Sequence, residues 1–346
     1  MPDPTFDPGP RIAEESQLPL AGVRAVIRLL SEGGTVPFIA RYRKEQTGGL
    51  DELQIRGVEE RGSYLTELDA RRRSILSEIE SQGKLTADLA AKIESCWVKS
   101  TLEDIYLPFK PKRRTRAMIA RERGLDPLAR LILTQSGTGS MEAVLAPFID
   151  PTRNVPDAKS ALAGARDIVA ETIADRSDVR ALVRDVFKRD GVLASKAVKG
   201  KSNQPTKFED YYDFKEKARS IPSHRFLAIR RGTEEGVLRM SIDVDADAIG
   251  VRIATLANRK PASLFAGELA AAIEDSVGRL LCPSIESEVF AEMKLSADRD
   301  AVTVFAENLR RLLLAPALGR KVVIGVDPGQ RTGCKCAVVD DTGKFV

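Results

Sequence analysis

Apolar residues recur at three- and four-residue spacing through Leu20, Val23, Val26, Ile27 and Leu30, which predicts one helix face, and Gly33-Gly34 ends it. A long helix is predicted from about Asp51 towards Glu80, with Asp51 placed to cap the first turn. Thr86 caps a short helix in which Leu89, Ile93 and Trp97 repeat every four residues. Shorter helical stretches run to Ile149, and Asp150-Pro151 and Val155-Pro156 mark a break. Residues 157–189 form one of the clearest amphipathic patterns, with Ile168, Val169, Ile173, Val179, Leu182, Val183 and Val186 on a drifting face. A second strong one runs from Ala301 to Leu318 through Val302, Phe305, Leu309, Leu312 and Leu313, and these apolar residues read as core. Residues 1–10 carry Pro2, Pro4, Pro8, Gly9 and Pro10 without periodicity and read as a disordered tail.

The period changes at residue 321. Lys321-Val322-Val323-Ile324-Gly325-Val326-Asp327 is a β-branched run closed by Pro328-Gly329, and Cys334 to Val339 is a second run. Asp340-Asp341-Thr342-Gly343 signals a turn, after which Lys344-Phe345-Val346 starts a third strand. The expected fold is therefore mostly α, a multi-helix N-terminal and central region followed by the first strands of an α/β domain. Strands this apolar need partners or a covering helix, so the chain reads as a fragment that has just entered a new domain. Val322, Ile324 and Val326 are expected to lie exposed unless the segment packs on the helix ending near Leu318.

Length and composition narrow the function classes. With 346 residues, 43% in the AVILMFWYC set and 30% charged, the chain can bury the cores of about two domains. It holds no apolar run long enough for a bilayer and no basic-then-apolar secretory leader. Cys96, Cys282, Cys334 and Cys336 are irregularly spaced, so no disulfide framework is expected and the reading is a reduced, cytoplasmic, soluble protein without a membrane partner. Cys334 and Cys336 fall on one strand face and read as packed. One histidine, His224, removes metal centres built on several imidazoles. Following Ile221-Pro222-Ser223, it reads as a capping or packing residue at a helix start. No cofactor and no metal site are expected.

The formal net charge of +4 names no partner, but its distribution is uneven. Pro108 to Arg123 holds Lys110, Lys112, Arg113, Arg114, Arg116, Arg121 and Arg123 against Glu122 alone, net +6. Lys188 to Lys207 is net +5, with Lys196, Lys199 and Lys201 in a stretch that reads as a loop. Both are candidate phosphate-contacting surfaces whose binding would weaken with salt. The competing reading, solvated turns holding acidic helix faces by weak surface pairs, stays open. Neither cluster carries recognisable base-reading chemistry. Gly34 to Gly49 is an apolar-basic helix whose Phe38-Ile39-Tyr42 side is expected to dock into a core. Tyr211-Tyr212-Asp213-Phe214-Lys215 reads as helix packing, given an aromatic content of only 5%.

Asp327 ends a strand before a tight glycine turn, where a carboxylate suits a metal-dependent phosphoryl-transfer site; the further carboxylates of a two-metal centre would have to come from later in a chain. Several ordered stretches carry a resemblance: Phe38-Ile39-Ala40-Arg41-Tyr42-Arg43-Lys44-Glu45 with Thr47-Gly48-Gly49-Leu50-Asp51-Glu52, then Leu102 to Arg116, Ala163 to Glu171, Tyr211 to Phe214, and Ile324 to Lys335. Together they resemble the Tex family of bacterial transcription accessory proteins, over less than half of a typical member. The resemblance implies a helical N-terminal region and the start of a ribonuclease-H-like domain, truncated here, in which Asp327 matches the first-strand carboxylate. It also implies RNA or DNA binding without sequence specificity, RNA polymerase or other transcription factors as partners, and no catalysis. Domains are expected at 11–205 (N-terminal helical), 206–320 (central helical) and 321–346 (first hairpin of the ribonuclease-H-like domain). Two other readings stand beside this non-catalytic scaffold: a metal-dependent nuclease or resolvase using Asp327, and a pure protein-docking scaffold.

Overall fold

The opening helical pattern resolves into α1 (Gly9–Ser16), α2 (Leu20–Ser31) and α3 (Val36–Tyr42), followed by the long α4 (Glu52–Ser81). The computed structural model describes residues 6–110, 114–137, 139–201, 206–315, 318–329 and 333–346. Gly33 ends α2 with a φ of 89°, a conformation that suits a residue without a side chain. Asp51 starts α4 through a reciprocal cap: its carboxylate accepts from the Gln54 N–H at 2.8 Å, and the Gln54 side chain accepts from the Asp51 N–H at 2.9 Å. The tail expected over 1–10 is shorter than that among the described residues. Pro8 and Pro10 occupy first-turn positions where a missing N–H costs nothing, and Phe6 packs against the N-terminal core.

Short helices follow: α5 (Ala87–Glu94), capped by Thr86, α6 (Lys99–Tyr106), α7 (Arg116–Glu122), α8 (Asp126–Thr134) and α9 (Met141–Leu145). The single pattern read over 157–189 is two helices, α10 (Ala158–Ala174) and α11 (Ser177–Asp190). They part where Arg176 takes an extended backbone and Asp178 receives its guanidinium at 2.6 and 3.0 Å. Strand β1 (Val192–Ala197) comes next, then β2 (Asp213–Lys217), α12 (Ser223–Glu234) and β3 (Leu238–Asp243). The strands form one sheet in the order β2-β1-β3, with β1 and β2 antiparallel. Residues 206–320 are therefore not purely helical, and Tyr211 to Lys215 leads into a strand rather than a packing helix. Helices α13 (Ala246–Leu256) and α14 (Ala266–Asp275), a π-helical turn over Ser276–Leu281 and α15 (Cys282–Leu313) complete the helical part. Strands β4 (Val323–Pro328) and β5 (Cys334–Val339) then pair antiparallel, Asp327 opposite Lys335. The chain is mostly α, with its few strands in two small sheets.

Two compact units emerge, residues 1–191 with 243–287, and residues 192–242 with 288–346. In the first, Ile12, Val23, Ile39, Ile55, Leu65, Ile75, Ile93 and Leu102 form a core sealed from water. Helix α10 packs on α7, α8 and α14 in the same unit. Gly164 permits the closest approach: a Cβ there would lie 2.4 Å from Leu125 Cδ1 and 3.3 Å from Ala120 Cβ. The second unit closes around Leu193, Phe208, Phe226, Ile229 and Leu238, with Tyr211 and Phe214 edge-on at 5.4 Å. Val302, Phe305, Leu309, Leu312 and Leu313, read as core, are instead exposed along the second half of α15. Val322, Ile324 and Val326 are exposed as well. His224 is exposed in the first turn of α12 and provides no side-chain cap.

A buried ionic cluster ties the first unit together. Asp104 on α6 accepts from Arg180 Nε at 2.7 Å and from Arg184 at 2.9 and 3.0 Å, both arginines projecting from α11. All three side chains are almost fully enclosed. A carboxylate taken out of water is tolerated only when opposite charge and hydrogen bonds replace the lost hydration. On α4, buried Arg72 does related work, binding Asp69 at 3.2 Å and the Cys96 carbonyl at 2.9 Å while stacking on Trp97. Asp104→Ala removes the carboxylate that two buried guanidiniums share and is expected to cost about 3–5 kcal/mol in urea unfolding; an unchanged midpoint would remove the cluster from its structural role.

Closer to the surface, Glu103 accepts both Arg71 nitrogens at 2.6 and 2.9 Å, and Glu15 accepts Arg61 Nε at 2.6 Å. These arginine hydrogen bonds hold both carboxyls below the usual glutamate range. Because the folded pKa is lowered, the stabilisation is present above the unfolded value of about 4.3 and is lost as pH falls through the folded value. Melting temperature should therefore drop on acidification below about pH 4.3, and Glu103→Gln should flatten that drop while costing up to about 1 kcal/mol at pH 7.

Candidate nucleic-acid interface

The first basic cluster is carried by an α7 that starts where the Thr115 hydroxyl accepts from the Met118 N–H at 3.1 Å. Much of its charge is already answered. Arg114 pairs with Glu122 at 2.8 Å, and Arg121 pairs with Glu171 at 2.9 Å and Asp126 at 3.5 Å. Arg116 lies in the field of Asp167 and Asp275. Burial pushes the Asp167 carboxyl up, whereas hydrogen bonds from Arg279 hold Asp275 down. Lys110 is exposed just past a 3₁₀ turn over Leu107–Phe109, and Arg123 is half-buried. Neither makes an ion pair among the described residues. Lys112 and Arg113 lie outside the described residues.

The second cluster is not a loop throughout. Lys196 sits on β1, whose Leu193, Ala194 and Ser195 are buried, and it stands exposed opposite Asp213 of β2. Lys199 is exposed and Lys201 half-buried in the turn that follows, where Gly200 takes a φ of 88° and the Lys201 N–H donates to the Val198 carbonyl at 2.9 Å. Ala194 lies opposite Lys215 and Val192 opposite Lys217, so the pleat places Lys196, Lys215 and Lys217 on one face. The other face carries Phe214 towards the core of this unit. A helical reading of Tyr211 to Lys215 hides the strand alternation that puts Lys215 and Lys217 on this face. The alternation Asp213-Phe214-Lys215-Glu216-Lys217 was the signal for them.

Helix α3 corrects a further expectation. Val36 and Ile39 turn into the core, but Phe38 and Tyr42 face solvent, 40% and 65% exposed. Their rings lie 5.3 Å apart, and the Arg43 guanidinium sits 5.0 Å above Phe38. Exposed Arg41 and Lys44 flank them. An aromatic pair with arginine stacked on it and cations beside it can take up an unpaired base and its phosphate. On a helix this short, one inward face suffices for docking, and Val36 and Ile39 supply it.

Asp327 is exposed near the end of β4 with Lys335 as its cross-strand neighbour. Cys334 and Cys336, expected to be packed, are exposed on β5; Cys96 is buried, Cys282 half-buried, and all four are free thiols. Among the described residues no helix is long and apolar enough to cross a membrane, and no three His, Cys, Asp or Glu side chains gather as a metal set.

Three family models match the chain: a Tex-like protein N-terminal domain over residues 8–80, a Tex central region-like model over 138–305, and a Tex protein YqgF-like domain over 321–346. A protein named transcriptional accessory protein Tex from Neisseria gonorrhoeae is 43% identical over 340 residues, 97% of this chain and 44% of that protein. Protein tex of Bordetella pertussis is 44% identical over 352 residues, again 97% of this chain and 44% of the relative. Human S1 RNA-binding domain-containing protein 1 is 28% identical over 335 residues, 93% of this chain and 33% of that protein. The chain spans less than half the length of these relatives.

If phosphates are held by cations that lack a carboxylate partner, Lys196, Lys199 and Lys201 matter more than the paired arginines. Changing the three lysines to Gln should lower the log-log salt slope for single-stranded RNA by about 0.7 per lost contact. The pair Arg114→Gln and Arg121→Gln should move it far less, as read by fluorescence anisotropy across a salt series.

Proposed function

The chain belongs to the Tex family, and from that membership we propose that it is a non-catalytic helical scaffold of a transcription accessory factor, binding RNA or DNA without sequence preference in the cytoplasm. The observation that carries this reading is the sheet face of Lys196, Lys215 and Lys217, with Lys199 and Lys201 in the adjoining turn. Three ammonium groups beside the one carboxylate of Asp213 leave this face net basic, which attracts a phosphate backbone, and they have no fixed fork for reading base edges. The α3 surface of Phe38, Tyr42 and Arg43 adds stacking, which every base can satisfy. A relative named for transcription and another named for an RNA-binding domain point the same way. The remaining helical surface is then available to RNA polymerase or another transcription factor.

Anisotropy with single-stranded RNA, single-stranded DNA and duplex DNA tests this reading. Binding should weaken steeply with salt, show no preference among unrelated sequences, and favour single strands through α3. Phe38→Ala with Tyr42→Ala should reduce single-strand affinity by about 1–3 kcal/mol per lost stacked base and leave duplex binding nearly unchanged. No binding of any of the three at low salt would overturn the proposal. Asp327→Asn should change neither binding nor the integrity of labelled branched DNA incubated with Mg²⁺; cleavage by the parent chain that the variant lacks would establish a nuclease instead.

A further inference from the structure

Strand β4 has β5 on one side and no strand on the other among the described residues. The far side of β5 is met at Val339 by Phe345, so the open edge of this small sheet is the β4 edge. Exposed edges in natural proteins are ordinarily blunted by lysine, proline, an inward-pointing charge or a bulge. None of these interrupts Val322 to Val326, and Pro328 stands only at the end of the strand. Val322, Ile324 and Val326 share one face by the alternation of the pleat and are 67%, 65% and 57% exposed. Lys321, Val323, Gly325 and Asp327 fall on the other face. Two strands alone make a marginal sheet, and an unpaired row of N–H and C=O groups beside an apolar face is a template for a further strand.

We propose that this edge pairs antiparallel with the β4 edge of a second copy of the chain, about a two-fold axis at Ile324, giving one sheet in the order β5-β4-β4-β5. The strand's own sequence selects this occupant and its register. Across a two-fold axis, if one residue meets another, the second meets the first in return. Only registers that set even-numbered residues opposite even-numbered ones continue the Val322-Ile324-Val326 face into the second copy. A slip of one residue would set that face against the face of Lys321 and Asp327. Among the even registers, the one centred on Ile324 puts Lys321 of each copy opposite Asp327 of the other, and Val322 opposite Val326. Moving the centre one residue either way leaves Asp327 opposite Gly319 or Val323. Asp327 already has Lys335 as its neighbour across β5, so the second copy's Lys321 gives it a lysine on each side. A uniformly acidic or uniformly basic strand would meet one of these two charges with like sign; this strand meets both with opposite sign. The inference does not rest on the nucleic-acid reading.

Sedimentation equilibrium of the nuclease-treated full chain over a concentration series tests it, and a monomer–dimer equilibrium is expected. Asp327→Lys and Lys321→Asp should each weaken dimerisation roughly tenfold, because each sets like charges opposite one another at both ends of the interface. The chain carrying both changes should recover the parent dimer. So should an equimolar mixture of the two single variants, in which every pair again has opposite sign. In a chain with Cys282, Cys334 and Cys336 changed to Ser, Ile324→Cys should cross-link two copies on mild oxidation and Val322→Cys should not. The substituted β4 positions are exposed, and far-ultraviolet circular dichroism checks that each variant keeps its helices. A chain that stays monomeric at every concentration overturns the proposal and leaves the edge to a strand of another protein. A dimer held instead by the exposed apolar side chains of α15 would be unmoved by these charge reversals, and that result overturns it too. Failure of the double variant and of the mixture to recover the dimer, or cross-linking through Val322→Cys rather than Ile324→Cys, does the same.

Discussion

Asp104 is almost fully enclosed, and two arginines from one helix converge on it. Two guanidiniums from α11 supply the opposite charge and the hydrogen bonds that a carboxylate enclosed there has lost from water. Arg180 and Arg184 lie one helical turn apart, so both can reach one carboxylate only if α11 crosses α6 at a fixed register. That crossing positions the start of α11, and with it Arg176 and Asp178, along one wall of an open groove. The same α6 continues into the 3₁₀ turn that sets Phe109 and Lys110 on the other. A structural ion cluster thus fixes the spacing of these two walls.

Surface charge behaves differently from its density along the chain. The stretch from Pro108 to Arg123 is the most basic in the sequence, but folding hands Arg121 to Glu171 and returns Arg114 to Glu122. Such exposed pairs contribute little stability. Their consequence is electrostatic: they dim the field that the raw sequence promises. The shorter lysine run on and beyond β1 reaches solvent at Lys196, Leu193 turns into the core of this unit, and the strand beside it adds Lys215 and Lys217 on the side of Lys196. We therefore place the proposed phosphate-binding surface on a sheet.

Exposed apolar residues form the other unusual feature. From Ala301 onward every described residue of α15 is exposed, and most of β4 and β5 is too. A hydrophobic period records that one side of a helix is apolar; it does not record what covers that side. The drifting face over 157–189 had a related fault: the repeat carried on while the backbone left the helix at Arg176, because Arg176 and Asp178 bind each other across the junction.

What can be read from the residues alone is local. Asp51 and Thr86 cap helices because their side chains reach an N–H three residues on, Gly33 ends one because it tolerates a positive φ, and the β-branched run after Lys321 makes a strand. The family, too, is written in ordered stretches of residues. Tertiary structure alone decided which charges are spent and which apolar faces are covered. Arg180 finds Asp104 across 76 residues and Arg121 finds Glu171 across 50, separations that no local period encodes. Phe38 and Tyr42 point outward for the same reason: α3 has only one face to bury, and its placement against α2 and α4 gave that face to Val36 and Ile39.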